Sequence, residues 1–444
     1  MSKNIILVGM GGVGKTTVAK LLAQKTSAKL VDTDSEIESQ NDLKIKDLIE
    51  QKGWGYFREQ ETILLKKLSE LKDATIISTG GGIILSEENR KLLKRIGRVI
   101  LLWASPQTLT ERVGEGYKNR PLLGEKSQVL DSFKKLSQER LEAYLLACDL
   151  LIDTENKSTE EIVDQITEYA EKEKVDQTVK NFCVVGHPVA HSLSPIIHLS
   201  AFRSMGLAYS YMTVDVEKIE DGIRIIKEEP YDGVSITVPH KISAVDLLDT
   251  IDEDVKAIGA VNTVLNRGDK LYGYNSDWYG AIESLNEYFG EELKQKNAIL
   301  LGAGGAARAI CYGLKKASIS FVILNRNVEK AKVLAQEFGA EDSGSLEDFA
   351  KYVDCDIIIN STTVGLDTTE SPIDSNALTP EHTVFDIVYK PHVTRLIQDA
   401  KTRGAKVIYG YKMLIYQAKR QFELFTDRDF PTDLVEKILI NQLT

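Results

Sequence analysis

Gly9-Met10-Gly11-Gly12-Val13-Gly14-Lys15-Thr16 spells G-x-x-x-x-G-K-[ST]. In this pattern the glycines let successive backbone N–H groups turn toward phosphate oxygens, the lysine ammonium reaches the outer phosphates, and the hydroxyl that follows faces a magnesium ion. The loop therefore reads as a grip for a nucleoside triphosphate. Asp32 and Asp34 lie two apart at a predicted strand end, so both carboxylates are expected on one side of a sheet. One can hold magnesium through water and the other can orient a substrate hydroxyl. A second glycine loop, Gly302-Ala303-Gly304-Gly305-Ala306-Ala307, stands far downstream with spacing suited to a dinucleotide pyrophosphate. Asn325-Arg326 follow the next apolar run, where an NAD-selective fold would place an acid on the ribose. An arginine there favours a 2′-phosphate and hence NADP(H), and Arg308 adds a second positive charge.

Each loop needs a strand behind it and a helix ahead of it. Asn4 to Val8 and Ala298 to Leu301 are the apolar runs that precede them. Further strand-like runs (Leu30 to Thr33, Thr75 to Ser78, Val99 to Trp103, Leu150 to Ile152) alternate with amphipathic stretches through about residue 174, which predicts a parallel sheet flanked by helices. The charged stretch from Glu171 to Gln177 has little to bury, and the domain boundary is placed there. The alternation resumes at Phe182 to Val185 and continues to Lys406 to Ile408, with helices after Tyr411 that can return to the lobe before the second loop. The whole chain is α/β.

With 444 residues the chain can bury two or three ordinary cores. A net charge of -11 opposes binding to a polyanion, so neither nucleic acid nor a membrane surface is an expected partner. The first apolar run is too short for a signal-peptide core and no run reaches transmembrane length, giving a cytoplasmic expectation. Cys148, Cys183, Cys311 and Cys355 lack metal or redox spacing and read as buried free thiols. His187, His191 and His198 cluster in sequence without a zinc pattern, and Trp54, Trp103 and Trp278 read as packing residues.

The first loop is accompanied by Phe57-Arg58-Glu59-Gln60-Glu61, Gly80-Gly81-Gly82, Arg120-Pro121-Leu122-Leu123 and Arg140-Leu141-Glu142-Ala143-Tyr144. This set resembles shikimate kinase over about residues 3 to 172. The resemblance implies that Arg58 and Arg140 clamp the substrate carboxylate, while Asp34 and Gly80, Gly81 and Gly82 hold the ring hydroxyls. It also implies that Arg120 sits on a lid over the phosphates and that Arg112 lies against adenine. ATP would be cradled by Gly11, Gly12, Val13, Gly14, Lys15, Thr16 and Thr17, with Mg2+ at Thr16 and Asp32. Lys15, Asp34 and Arg120 would be the catalytic groups.

The second half carries Gly186 to Pro195, Gly233 to Lys241, Gly259-Ala260-Val261-Asn262-Thr263, Tyr274-Asn275-Ser276-Asp277, Asn360 to Gly365, Asp386 to Pro391 and Gly410 to Ala418. These segments resemble shikimate dehydrogenase over about residues 180 to 440. The resemblance implies that Ser192, Ser194, Thr237, Asn262, Tyr389 and Gln417 contact the substrate and that Lys241 and Asp277 form the catalytic pair. NADP would lie on Gly302, Ala303, Gly304, Gly305, Ala306, Asn325 and Arg326, with Gly410 and Met413 beside it. Two positions depart from the pattern: Ser235 replaces a common Asn, with an expected effect on substrate contacts, and Asn327 replaces the Thr that usually follows Asn-Arg.

Together the resemblances imply a P-loop kinase sheet (1–174), a linker (175–180), and a two-lobed α/β dehydrogenase. The latter comprises a substrate lobe (181–277), a Rossmann NADP lobe (278–410) and returning helices (411–444). The implied activity is bifunctional: reduction of 3-dehydroshikimate to shikimate, then phosphorylation of shikimate. The alternatives are a non-catalytic metabolite sensor built on the same folds, or a dehydrogenase using quinate or NAD. Oligomeric state is not legible.

Overall fold

The computed structural model describes residues 4–71, 73–171, 179–268 and 270–444. Three sheets follow one another along the chain. The first has five parallel strands in the order Lys29–Asp32, Thr75–Ser78, Asn4–Val8, Gly97–Trp103 and Leu150–Asp153. Its central strands are apolar on both faces because helices cover both sides, and Ile5, Ile6, Leu7 and Val8 are buried. The first glycine loop leaves the C-terminal end of Asn4–Val8 and enters the helix Lys15–Thr26. Gly12 and Gly14 hold φ of 89° and 99°, a region closed to most side chains, which turns the loop amides inward.

The second sheet is mixed, in the order Ser210–Asp215, Asn181–Gly186, Gly233–Ile236, Thr263–Arg267, Lys270–Tyr274 and Thr250–Ile251. It departs from a simple repeat of strand–helix alternation because Thr263–Arg267 and Lys270–Tyr274 form an antiparallel hairpin. The third sheet is wholly parallel, in the order Asp342–Gly344, Ser320–Leu324, Asn297–Leu301, Ile357–Asn360, Thr383–Asp386 and Lys406–Tyr409. This is the doubly wound dinucleotide order, with its switch point beside Asn297–Leu301, the strand that feeds the second glycine loop.

Two helices join the second and third sheets. Asp277–Phe289 and Gly410–Thr426 pack against each other, and a β-carbon on Gly280 would lie 2.7 Å from the Met413 carbonyl, so glycine permits the close crossing. Gly410–Thr426 also reaches the second sheet through Gln421, which donates to Asn262 O and Thr263 Oγ1 at 3.1 Å each.

The expected linker, 175–180, lies for the most part outside the described residues. The units on either side of it nonetheless touch. Ser194–Ser204 and the last helix, Thr432–Leu443, pack on Val129–Ala147 of the first unit, and one apolar cluster runs from Ile5 through Leu145 to Phe202 and Ile438. The buried Arg203 donates to Leu145 O at 3.1 Å, satisfying a carbonyl at the C-terminal end of Val129–Ala147. Among the described residues no helix is long and apolar enough to cross a membrane, and all four cysteines are buried and unpaired.

Two candidate active sites

A pocket of about 140 Å³ opens beside the first glycine loop, lined by Gly11, Asp34, Arg58, Glu61, Arg120 and Arg140 together with Gly80, Gly81 and Gly82. The glycine triplet follows Thr75–Ser78 and makes room for the charges. A β-carbon on Gly80 would come 2.5 Å from Asp34 Oδ1 and 3.2 Å from Glu61 Oε1, and one on Gly82 would collide with the Arg58 guanidinium. Arg140 Nη1 donates to Gly81 O at 3.2 Å and Tyr144 Oη donates to the same carbonyl.

Asp32 and Asp34 do not align by strand alternation as expected. Asp32 ends its strand and caps the helix Thr33–Asn41 by accepting from Ser35 N, so Asp34 already lies in the first helical turn. Both carboxylates still act on Lys15. Thr16 Oγ1 donates to Asp32 Oδ2 at 3.0 Å, and Thr17 is exposed in the same helical turn. A hydroxyl and a carboxylate this close suit Mg2+, which takes few protein oxygens and keeps several waters. Lys15 Nζ donates to the loop carbonyls Gly9 O and Met10 O at 2.8 and 3.0 Å. Burial pulls its pKa down to about 8, against the attraction of Asp34. The Arg120 guanidinium rests against Gly11, and Gly12 faces Val113 of the helix Pro106–Val113. Arg112 of that helix lies outside the pocket lining, holding Thr154 Oγ1 and Thr154 O at 2.8 Å each. Val13 is buried beneath the loop.

Two residues of this pocket escaped assignment by sequence. Glu61 is fully buried, pairs with Arg58 Nη1 at 2.6 Å, and has its pKa raised to about 7 by burial, with Arg58 opposing. Burial likewise raises the pKa of Asp34 against Lys15. Asp34 Oδ1 and Glu61 Oε1 have no hydrogen-bond partner among the described residues, and both side chains belong to the pocket lining. The second residue is Trp54, which packs edge-on against Phe57 but also lines the pocket: it is 37% exposed and has the Arg58 guanidinium 5.2 Å from its ring centroid. Arg58 and Glu61 stand at i and i+3 on one helix, and that spacing was the available signal.

The second site is a cleft of about 430 Å³ between the second and third sheets. Ser192 and Ser194 enter it from the start of the helix Ser194–Ser204, and Thr237 from the turn after Gly233–Ile236. Lys241, Asn262 and Asp277 line its middle; Tyr389, Gly410, Met413 and Gln417 close it from the other side. Lys241 Nζ lies 2.6 Å from Asp277 Oδ2, and Asn262 Nδ2 donates to Asp277 Oδ1 at 2.9 Å. Asp277 opens the helix Asp277–Phe289, whose N-terminal dipole favours its negative charge. Gln417 accepts from Ser276 Oγ at 3.5 Å.

Of the second glycine loop, Ala306 alone reaches the cleft lining. Gly302, Ala303, Gly304 and Gly305 form its approach: Gly302 N donates to Leu324 O at 2.8 Å, which sets the loop beside Asn325 and Arg326. A β-carbon on Gly304 or Gly305 would meet nothing within 4 Å, so a bare backbone face stands at the N-terminus of Gly305–Lys316, as a pyrophosphate requires. Arg326 is exposed, and Asn327 caps the helix Val328–Phe338 by accepting from Lys330 N.

The expectation for Arg308 is corrected, while Ser235 keeps a place at the cleft. Arg308 is not a free charge for the cofactor: both guanidinium nitrogens engage Glu337 and its Nε donates to Ile258 O. Ser235 lines the cleft floor, but its buried hydroxyl already accepts from Tyr211 Oη at 2.6 Å and donates to Gln421 Oε1 at 3.0 Å. Gln421, one helical turn after Gln417, was overlooked although that spacing puts both on one helix face. The three histidines diverge. His187 meets Asp215 at 2.6 Å, His191 lines the cleft, and His198 stacks on Tyr211 in the core, where burial pulls its pKa down to about 3.

Comparison with known proteins separates the chain at the same place. A family model described as shikimate kinase matches residues 11–171. Models for the shikimate dehydrogenase substrate binding domain, shikimate/quinate 5-dehydrogenase and the shikimate 5'-dehydrogenase C-terminal domain match 184–264, 284–388 and 410–440. Shikimate dehydrogenase (NADP(+)) of Caldanaerobacter subterraneus subsp. tengcongensis is 40% identical over 276 residues, 60% of this chain and 98% of that protein. The chain belongs to the shikimate dehydrogenase family. A shikimate kinase domain precedes its dehydrogenase part, so the chain is a fusion of the two. The Thermus thermophilus shikimate 5-dehydrogenase, solved with NADP(H) and shikimate, is 37% identical with a TM-score of 0.55, covering 59% of this chain and 99% of that one. A Corynebacterium glutamicum quinate dehydrogenase solved with NAD is 25% identical with a TM-score of 0.55, covering 59% and 99%.

Proposed function

We propose that the dehydrogenase half reduces 3-dehydroshikimate to shikimate with NADPH and that the kinase half phosphorylates the product with MgATP. The observation that carries this reading is the coexistence, in one chain, of the Lys241–Asp277 pair in a polar cleft and the Asp34–Arg58–Arg140 pocket beside a phosphate loop.

In the dehydrogenase, NADPH supplies the hydride when bound. As negative charge grows on the carbonyl oxygen of the substrate, the Lys241 ammonium faces it and donates a proton, while Asp277, braced by Asn262, holds the lysine in place. Ser192, Ser194, Thr237, Asn262, Tyr389 and Gln417 orient the ring acid. In the kinase, ATP supplies the phosphoryl group. Arg58 and Arg140 fix the substrate carboxylate, Asp34 accepts from the attacking hydroxyl, Thr16 and Asp32 hold Mg2+, and Lys15 and Arg120 neutralise phosphate charge. The domain limits follow: 1–174 for the kinase, 181–277 and 411–444 for the substrate lobe, 278–410 for the nucleotide lobe. The absence of a membrane-length helix among the described residues accords with a cytoplasmic setting.

The test supplies the purified chain with 3-dehydroshikimate, NADPH and magnesium ATP. Shikimate 3-phosphate should accumulate, and its absence with either intermediate step missing sinks the corresponding half. A second reading, NAD in place of NADP, gains weight from the capture of Arg308 by Glu337, which leaves Arg326 to read the 2′-phosphate. Rates with both cofactors, and with quinate beside shikimate, decide it.

A further inference from the structure

Lys437 lies on Thr432–Leu443, the last helix of the dehydrogenase half, yet its Nζ reaches the kinase. It contacts Glu155 Oε2, lies 3.1 Å from Asp153 Oδ2, and sits 5.6 Å from the Trp103 ring centroid. Asp153 ends the edge strand Leu150–Asp153, and Glu155 follows in the loop beyond it. The same loop presents Thr154 to Arg112.

The other oxygen of Glu155 binds the kinase from within. Glu155 Oε1 accepts from Ser105 N at 2.8 Å, from Thr108 Oγ1 at 2.6 Å and from Ser105 Oγ, all in the first turn of Pro106–Val113 or its cap. A carboxylate at that N-terminus is favoured by the helix dipole. Burial works against its charge, but Lys437, Ser105 and Thr108 outweigh it and hold the Glu155 pKa down to about 2. At its other end the helix carries Arg112, and Leu109 O and Val113 lie against Gly12 of the phosphate loop. Pro106–Val113 is therefore a brace between the 153–155 loop and the phosphate loop, and Arg120 follows a few residues beyond it.

We propose that Lys437 is a positioning residue for the kinase's nucleotide: the dehydrogenase half fixes the 153–155 loop and, through it, the brace that backs the phosphate loop at Gly12. The inference rests on the kinase reading above. Without the ammonium, Asp153 and Glu155 face each other as two like charges, and the loop keeps its bonds to the brace and those of Thr154 to Trp103 O. The kinase fold would then bind nucleotide less tightly although none of its own residues has changed.

The test uses the full-length protein with Lys437→Met and Lys437→Arg. Calorimetry should show the ADP dissociation constant of Lys437→Met raised about three- to tenfold, with KM for ATP rising in parallel. KM for shikimate and both dehydrogenase constants should move by less than about twofold, and Lys437→Arg should recover most of the ADP affinity. Unchanged ADP affinity overturns the proposal, as does an equal loss in KM for ATP and shikimate or a failure of arginine to rescue. A wild type that binds ADP without phosphorylating shikimate sinks the substrate reading and leaves the Lys437 effect measurable. A wild type that binds no ADP sinks both.

Discussion

The two sites differ in how many of their polar groups are already paired. In the dehydrogenase cleft Lys241, Asp277, Asn262 and Ser276 form a closed chain of hydrogen bonds. In the kinase pocket Lys15 is turned onto its own loop carbonyls while Asp34 Oδ1 and Glu61 Oε1 are bare. The difference follows from the reactions proposed. Ketone reduction moves one hydride to carbon and one proton to oxygen, so an ammonium and a carboxylate can be set in advance. Phosphoryl transfer brings in several negative charges, a metal ion and a hydroxyl, and the missing partners arrive with them.

The largest expected effect tests whether the pockets act separately. Lys241→Ala should lower the reduction rate by about a thousandfold or more while phosphorylation of added shikimate persists, and Lys15→Ala should do the reverse. If either change silenced both reactions in a folded protein, the contrast between two self-contained sites would collapse. The shared core makes this a real risk, since Val129–Ala147 carries Arg140 on one side and meets Ser194–Ser204 on another.

A smaller effect sharpens the dehydrogenase side. Arg326→Ala should raise KM for NADPH about ten- to fiftyfold and leave KM for NADH nearly unchanged, because the lost charge matches only the 2′-phosphate. Arg308→Ala should leave both within about twofold, since its guanidinium is held by Glu337 and Ile258 O. Equal effects of the two arginines on NADPH would restore the expectation that both serve the cofactor.

Both glycine loops were legible because their chemistry is local: spacing fixes which amides face a phosphate. The other residues lining the two clefts stand far apart in the chain, and only the resemblance to the two families named them. What escaped depends on distant segments meeting. Asp34 was assigned to the right pocket by the wrong route, since a cap at Asp32 replaced strand alternation. The binding of Arg308 to Glu337 joins residues 29 apart, and that of Lys437 to Glu155 joins the last helix to the kinase domain. The mixed second sheet was hidden for a related reason, as the Thr263–Arg267 hairpin reads as two ordinary strands until their pairing is known.

The smallest expected effect concerns the bare acceptors themselves. Glu61 faces Arg58, Arg140 and Asp34, and burial raises its pKa to about 7 from an ordinary value of 4.5. The folded chain therefore binds this proton more tightly than the unfolded chain. Its contribution to folding is most favourable below pH 4.5 and is lost as pH rises through about 7. Activity should run the other way, because only the ionised carboxylate holds the Arg58 fork toward the substrate. In the wild type, kcat/KM for shikimate should climb about tenfold between pH 6 and 8. In Glu61→Gln it should stay within about twofold over that range, with dehydrogenase activity as the internal control for folding. A variant whose profile still climbed would assign the titration to Asp34, leaving Glu61 as a buried partner of Arg58 with no part in the contrast between the two pockets.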